Sequence, residues 1–162
     1  MLVQKRKDIP NHSKELDLLE RLAQRLFRNL IRCRVPGAAA LPRAELSIVL
    51  TSDKKIRSIN QKWRNKDKAT DVLSFPAQSK QELNALGKLA RTNKLKSQWP
   101  LGDIVIALET AERQAKEKKL SLNKELEILL THGFLHLLGF DHEVGEREAR
   151  RMRRLERKLL TH

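Results

Sequence analysis

Three histidines in the C-terminal third of the chain are spaced as metal ligands. His132, His136 and His142 lie in the segment THGFLHLLGFDHE at the spacing H-x₃-H-x₅-H, with Gly139 before the third histidine. Residues four positions apart on a helix share one face about 6 Å apart, so two imidazoles can reach one ion at the ~2.0–2.1 Å bond lengths of zinc. A glycine at the helix end permits the turn that delivers the third. Three protein ligands leave one tetrahedral position open, which is typical of catalytic zinc.

The residue after the first histidine argues against a protease. Zinc proteases with the spacing H-E-x-x-H-x-x-G-x-x-H use the glutamate as general base. Here Gly133 occupies that position, and the chain has no tyrosine whose phenol could assist an oxyanion. A metal alone lowers the pKa of a bound water to about 7. The site therefore favours a substrate that offers charge to a metal and to a cation, for example a phosphodiester.

The charge of the chain points to the same substrate class. Its 162 residues include 34 Lys and Arg against 20 Asp and Glu, a formal charge of +14 that favours a polyanion such as RNA or DNA. The length predicts one domain with its own core. No apolar run reaches the ~20 residues of a membrane span, and the N-terminus lacks the apolar segment of a secretory signal. With a single cysteine, Cys33, these features predict a cytoplasmic protein without a membrane partner.

The histidines require a helix to position the first two of them. The apolar pattern predicts a helix that begins after the N-cap Ser121 and ends at Gly139. The other predicted elements are helices at 13–32, 53–63, 109–119 and 146–160 and strands at 44–52, 70–76 and 101–108. This order predicts a single α+β domain over 1–162, with a small mixed sheet of about four strands packed against about five helices. The polar, basic segment 77–98 is predicted to be a variable surface insertion.

Three sequence blocks carry a resemblance to a known family. The blocks INQKWRNKDKATDVLSFP, LGDIVIA and HGFLHLLGFDH, in this order, resemble the YbeY family of bacterial metal-dependent endoribonucleases. The resemblance implies a zincin-like fold, cleavage of single-stranded RNA, and a role in ribosomal RNA maturation and ribosome quality control, with the ribosome or ribosomal proteins as partners. Trp63 and Phe140 stand where the family usually has tyrosine. Both keep an aromatic ring, but a phenol has no role here.

The resemblance also implies roles for particular residues. The metal ligands are then His132, His136 and His142, and the important arginine of the family corresponds to Arg64. A guanidinium near the metal binds a phosphate oxygen through two hydrogen bonds and stabilises charge in the transition state. Arg64 is therefore the predicted catalytic residue.

Three aspartates are candidates for supporting roles. Asp141 precedes a ligand and is predicted to accept a hydrogen bond from a ligand imidazole, although capping a turn is an alternative. Asp71 and Asp103 lie in strand motifs, where they either orient Arg64 or a loop or simply lie at strand ends.

These residues together predict a zinc-dependent endoribonuclease with one zinc ion per chain. Nickel, copper or another transition metal suits the same imidazoles. Metal-activated water is the predicted nucleophile, and the 2′-hydroxyl of the substrate is the alternative. Two other functions stay open at this point: a metalloprotease on a similar fold, and a ribosome- or RNA-binding factor in which the metal only stabilises the structure.

Overall fold

A mixed sheet of four strands forms the centre of the protein. The computed structural model describes residues 2–7, 9, 12–142 and 145–161; the remaining positions of the predicted domain lie outside the described residues. The strands are β1 (Leu2–Lys7), β2 (Ala44–Thr51), β3 (Val72–Pro76) and β4 (Trp99–Ala107). Their order is β1-β2-β4-β3; β1 and β4 run parallel to β2, and β3 runs antiparallel to β4. β3 is therefore an edge strand.

Six α-helices and one 3₁₀-helix surround this sheet in the described part of the chain. They are α1 (Ser13–Arg32), the 3₁₀-helix Ala38–Arg43, α2 (Asp53–Arg64), α3 (Lys80–Arg91), α4 (Leu108–Glu117), α5 (Leu122–Leu137) and α6 (Glu146–Leu160). The predicted α+β class and four-stranded mixed sheet are confirmed, and the helices exceed the predicted five by α3 and the short 3₁₀-helix. None of the described helices is both long and apolar enough to cross a membrane.

The two faces of the sheet bury different helices. Along β2, Leu46, Ile48 and Leu50 are completely buried in the main core, together with residues of α1 and α5. Side chains alternate across a strand, so the opposite face forms a second, smaller cluster that contains Ile56 of α2 and Val105 of β4. The main core thus lies between the sheet and the helix that carries the histidines.

The basic segment 77–98 contains a helix that is anchored in the core. Ser79 and Glu82 form a capping box at the start of α3: Ser79 Oγ accepts a hydrogen bond from the Glu82 N–H, and Glu82 Oε2 accepts one from the Ser79 N–H. Leu83 of this helix is only 2% exposed. Its variability among relatives stays a prediction, but part of the segment contributes to the core.

Candidate metal centre

Helix α5 carries the first two histidines and is buried on most of its surface. It begins as predicted at the N-cap Ser121, whose Oγ accepts a hydrogen bond from the Lys124 N–H. Three of its own side chains are completely buried: Leu126, Phe134 and Leu135. The helix is held firmly because it packs against β3 and β4 as well as α1, α4 and α6.

The third histidine is delivered by a turn at Gly139, also as predicted. Gly139 has φ +78°, its N–H donates to the carbonyl of His136, and the Phe140 N–H donates to the carbonyl of Leu135. These two hydrogen bonds form a Schellman motif, which ends a helix and reverses the chain. Phe140 is 5% exposed and secures the turn in the core. The chain then returns to place His142 beside the helix.

The three imidazoles converge on a common point. The Nε2 atoms of His132 and His136 are 3.1 Å apart, and one ligand atom from each of the three histidines lies within 4.8 Å of the others. Two ligands of a tetrahedral ion at zinc bond lengths are about 3.3 Å apart. The donor set is purely imidazole, which suits zinc, nickel or copper. The three side chains therefore fit one transition-metal ion.

A carboxylate on α6 orients one of these rings. Glu156 Oε1 lies 2.7 Å from His132 Nδ1. When the Nδ1–H of His132 donates a hydrogen bond to this carboxylate, Nε2 carries no proton, and its lone pair can face His136 and a metal. Glu156 was not among the predicted site residues, although its position is unusual for a carboxylate: it falls at helical spacing on the apolar face of α6, between Met152 and Leu159.

Burial keeps the central ligand in its binding form. The pKa of His136 lies below its ordinary value, first because the ring is withdrawn from water and second because His132 and His142 are close. Imidazole binds metals only when neutral. His136 is therefore ready to bind a cation at neutral pH without first losing a proton.

The histidines open into a cavity of about 790 Å³ between α2, β3 and α5. The α2 side contributes Trp63, Arg64, Lys66 and Lys68 to its lining. Ser74 and Phe75 of the edge strand β3 also line this cavity. The lining therefore includes a group of cations, here called the cationic wall (Arg64, Lys66 and Lys68), as well as the candidate metal ligands.

The cationic wall is held in place by contacts within α2 and the loop that follows it. Asn65 ends the helix in the left-handed conformation, with φ +55°. The buried Asn60 donates through Nδ2 to the carbonyl of Lys68 at 2.8 Å. Arg57 forms two hydrogen bonds of 2.8 Å each to the carboxylate of Asp67. The loop after Arg64 is therefore tied back to its own helix.

The predicted aspartates have different environments. Asp71 lines the cavity and accepts hydrogen bonds from the Val72 N–H and from Gln114 Nε2, so it links the start of β3 to α4. Asp141 is half-buried and also lines the cavity. Asp103 is exposed on β4 and is not part of the cavity lining. The structure brings Asp71 and Asp141 to the histidine cavity but does not bring Asp103 there.

A close approach between α5 and the sheet explains the glycine at position 133. A Cβ atom on Gly133 would lie 3.0 Å from Ile104 Cγ2 and 3.0 Å from Ser74 Oγ. These distances are shorter than an ordinary van der Waals contact, so the side chains of Ile104 and Ser74 would have to shift to make room for a larger residue. The glycine, and with it the absence of a glutamate base, fits the close packing of α5 on the sheet.

Comparisons with known proteins identify the family of this chain. The family model of Endoribonuclease YbeY matches residues 8–162. Endoribonuclease YbeY of Aquifex aeolicus is 44% identical over 125 residues, which cover 77% of this chain and 74% of that protein. Endoribonuclease YbeY of Myxococcus xanthus is 51% identical over 116 residues, which cover 72% of this chain and 35% of that protein.

A solved structure shows the same fold. The solution structure of TM1509 from Thermotoga maritima has a TM-score of 0.61 and 23% sequence identity, and it covers 98% of this chain and 87% of that chain. The match between the family model and nearly the whole sequence is the stronger observation. On that ground, this chain belongs to the YbeY endoribonuclease family.

Proposed function

We propose that this protein is a zinc-dependent endoribonuclease that cleaves single-stranded RNA and acts in ribosomal RNA maturation and ribosome quality control. The observation that carries the proposal is the convergence of three histidine ligand atoms within 4.8 Å, in a cavity that is also lined by the cationic wall. Family membership supports RNA as the substrate. The resemblance to YbeY proteins supports the ribosome or its proteins as partners and the cytoplasm as the location.

In this proposal the three histidines hold the ion, and Glu156 fixes the ring of His132. A bound zinc ion would lower the pKa of a water molecule and stabilise negative charge on a phosphoryl oxygen. Zinc is the first choice for three imidazoles, and nickel or another transition metal is the alternative. The lowered pKa of His136 favours its neutral ring, so this ligand is in the form that binds a metal.

In this proposal Arg64 binds the phosphate of the RNA that is cleaved. It is the last residue of α2 and lines the same cavity as the histidines. Its planar guanidinium can donate two hydrogen bonds to a phosphate oxygen pair and stabilise charge as the bond breaks. Lys66 and Lys68 line the same wall and attract the neighbouring phosphates.

The proposal is tested by metal analysis and RNA cleavage with the full chain. We expect one zinc ion per chain, cleavage of an unstructured oligoribonucleotide, loss of cleavage with a chelator, and recovery when zinc is restored. A product with a 2′,3′-cyclic phosphate would identify the 2′-hydroxyl as nucleophile, whereas a 5′-phosphate would identify water. Cleavage that persists in chelator, or digestion of casein in place of RNA, contradicts the proposal.

Replacing Glu156 by glutamine is expected to weaken zinc binding by about ten- to a hundredfold, because the neutral amide no longer stabilises the Nδ1-protonated form of His132. The zinc affinity is measured by competition with a chromophoric chelator. Glu148→Gln on the same helix makes the same chemical change at a residue that pairs with Arg151, so its zinc affinity should equal that of the wild type. Equal affinities in both variants would show that Glu156 does not support the site.

A further inference from the structure

Trp63 is an unusually exposed aromatic residue next to the candidate metal centre. Its side chain is 66% exposed, whereas the other exposed large hydrophobic residues among the described positions range from 37% to 47%. Trp63 is the penultimate residue of α2 and lines the cavity that contains the histidines. A ring with this much accessible surface is available for stacking by a ligand that enters the cavity.

The ring of Trp63 is held in position although it is exposed. Its centroid lies 6.1 Å from that of Phe75 at an interplanar angle of 65°, an edge-to-face contact with the edge strand β3. Lys62 Nζ lies 5.4 Å from the centroid of the indole. These contacts restrict the ring while most of its surface stays accessible. Less conformational entropy is therefore lost when a ligand stacks on it.

The surroundings of Trp63 suit a nucleic acid better than a protein partner. Arg64, Lys66 and Lys68 line the same cavity and provide positive charge for phosphates. The other exposed large hydrophobic residues in the described ranges are Leu2, Ile31, Leu89 and Leu120, and none of them lines this cavity. Proteins that bind single-stranded nucleic acids combine cations, which contact the phosphates, with aromatic rings on which the bases stack. Every base has a π-face, so such stacking tolerates any sequence.

We propose that Trp63 is a stacking platform for a nucleobase of the bound strand. A base that neighbours the phosphate to be cleaved stacks on the indole, and the chain of the RNA then passes Arg64 towards the histidines. Trp63 is a positioning residue in this arrangement because it contacts the base and not the reacting phosphate. The inference rests on the proposed function for the identity of the ligand as single-stranded RNA.

The intrinsic fluorescence of Trp63 can report its contact with a base. The chain has two tryptophans. Trp99 is 6% exposed, and its Nε1–H donates to the carbonyl of Ala40 at 3.1 Å. An RNA base can therefore reach Trp63 but not Trp99, and fluorescence lost on binding can be attributed to Trp63 by comparing the wild type with Trp63→Phe.

In the test, the metal-loaded full chain is mixed with an oligouridylate in a stopped-flow instrument, and tryptophan fluorescence is recorded before cleavage. We expect strong quenching in the wild type, none in Trp63→Phe, and none with an abasic oligomer of the same length and charge. RNA that binds by anisotropy without quenching the wild type overturns the platform. Quenching in a protein that never cleaves the RNA supports the platform and overturns the proposed nuclease function.

Steady-state kinetics separates stacking from a structural role. Stacking of one base corresponds to a factor of about 5 to 150 in affinity, so Trp63→Ala should raise KM by at least about fivefold with a smaller change in kcat. Trp63→Phe, which keeps a ring, should remain within about twofold of the wild type. Leu120→Ala removes an exposed apolar side chain outside the cavity and serves as control. Equal KM values for Trp63→Ala and the wild type contradict the proposal.

Discussion

Replacing His136 by alanine is expected to abolish stoichiometric zinc binding and to lower the RNA cleavage rate by more than about a hundredfold. This loss is larger than the roughly ten- to hundredfold loss typical of a residue that only orients a metal ligand. The reason is the position of His136 within the cluster. Its Nε2 is 3.1 Å from that of His132, and its lowered pKa keeps it in the neutral, ligating form. Zinc per chain is measured by mass spectrometry, and cleavage is measured on the same samples.

The matched control for this variant is His12→Ala. His12 precedes α1 and lies 3.5 Å from Glu15, outside the histidine cluster, so its removal should leave zinc content and cleavage unchanged. Circular dichroism of His136→Ala then separates the two remaining functions. A folded, inactive variant supports the enzyme, whereas an unfolded one supports a binding factor that the metal only stabilises. Full zinc content in His136→Ala would contradict the assigned ligand set.

Replacing Arg64 by alanine is expected to reduce cleavage by at least about tenfold while zinc content stays at the wild-type level. Arg64 lines the histidine cavity but is not one of the candidate metal ligands, so its loss removes charge stabilisation but no ligand. Arg64→Lys keeps the charge but loses the two-pronged hydrogen bonding, and its rate should fall between those of Arg64→Ala and the wild type. The measurement is the single-turnover rate at saturating protein.

The control for Arg64 is Arg32→Ala, which removes an exposed arginine from the end of α1, away from the cavity. Both variants lower the net charge of the chain equally. A similar fall in both would indicate a general loss of attraction for RNA rather than a local role. Wild-type turnover in Arg64→Ala would rule out the proposed role of this residue.

Local features of the fold were predictable because they depend on neighbouring residues. Ser121 caps α5 by accepting a hydrogen bond from the Lys124 N–H, three positions away. The turn at Gly139 ends the helix through hydrogen bonds from Gly139 to His136 and from Phe140 to Leu135, which span three and five positions. The placement of His132 and His136 on one face follows from the period of the helix. The same reasoning failed for β1, whose sequence LVQKRK shows no clear alternation. That strand forms because Leu2 to Lys7 pair with Glu45 to Leu50 of β2, which are distant in the chain.

The types of the candidate ligands, their spacing and the positive charge of the chain could be read directly from the order of the residues. The distant groups that meet the histidine cluster could not, because they are brought there by the packing of helices and strands that are far apart in the chain. Glu156 contacts His132 although the two residues are 24 positions apart in the chain. Asp103, which its sequence motif had made a candidate, is exposed and does not line the cavity. The close contact of Gly133 with Ile104 likewise depends on how α5 packs on the sheet. Helical period and caps act over a few residues, but the packing of one element on another is set by the whole core.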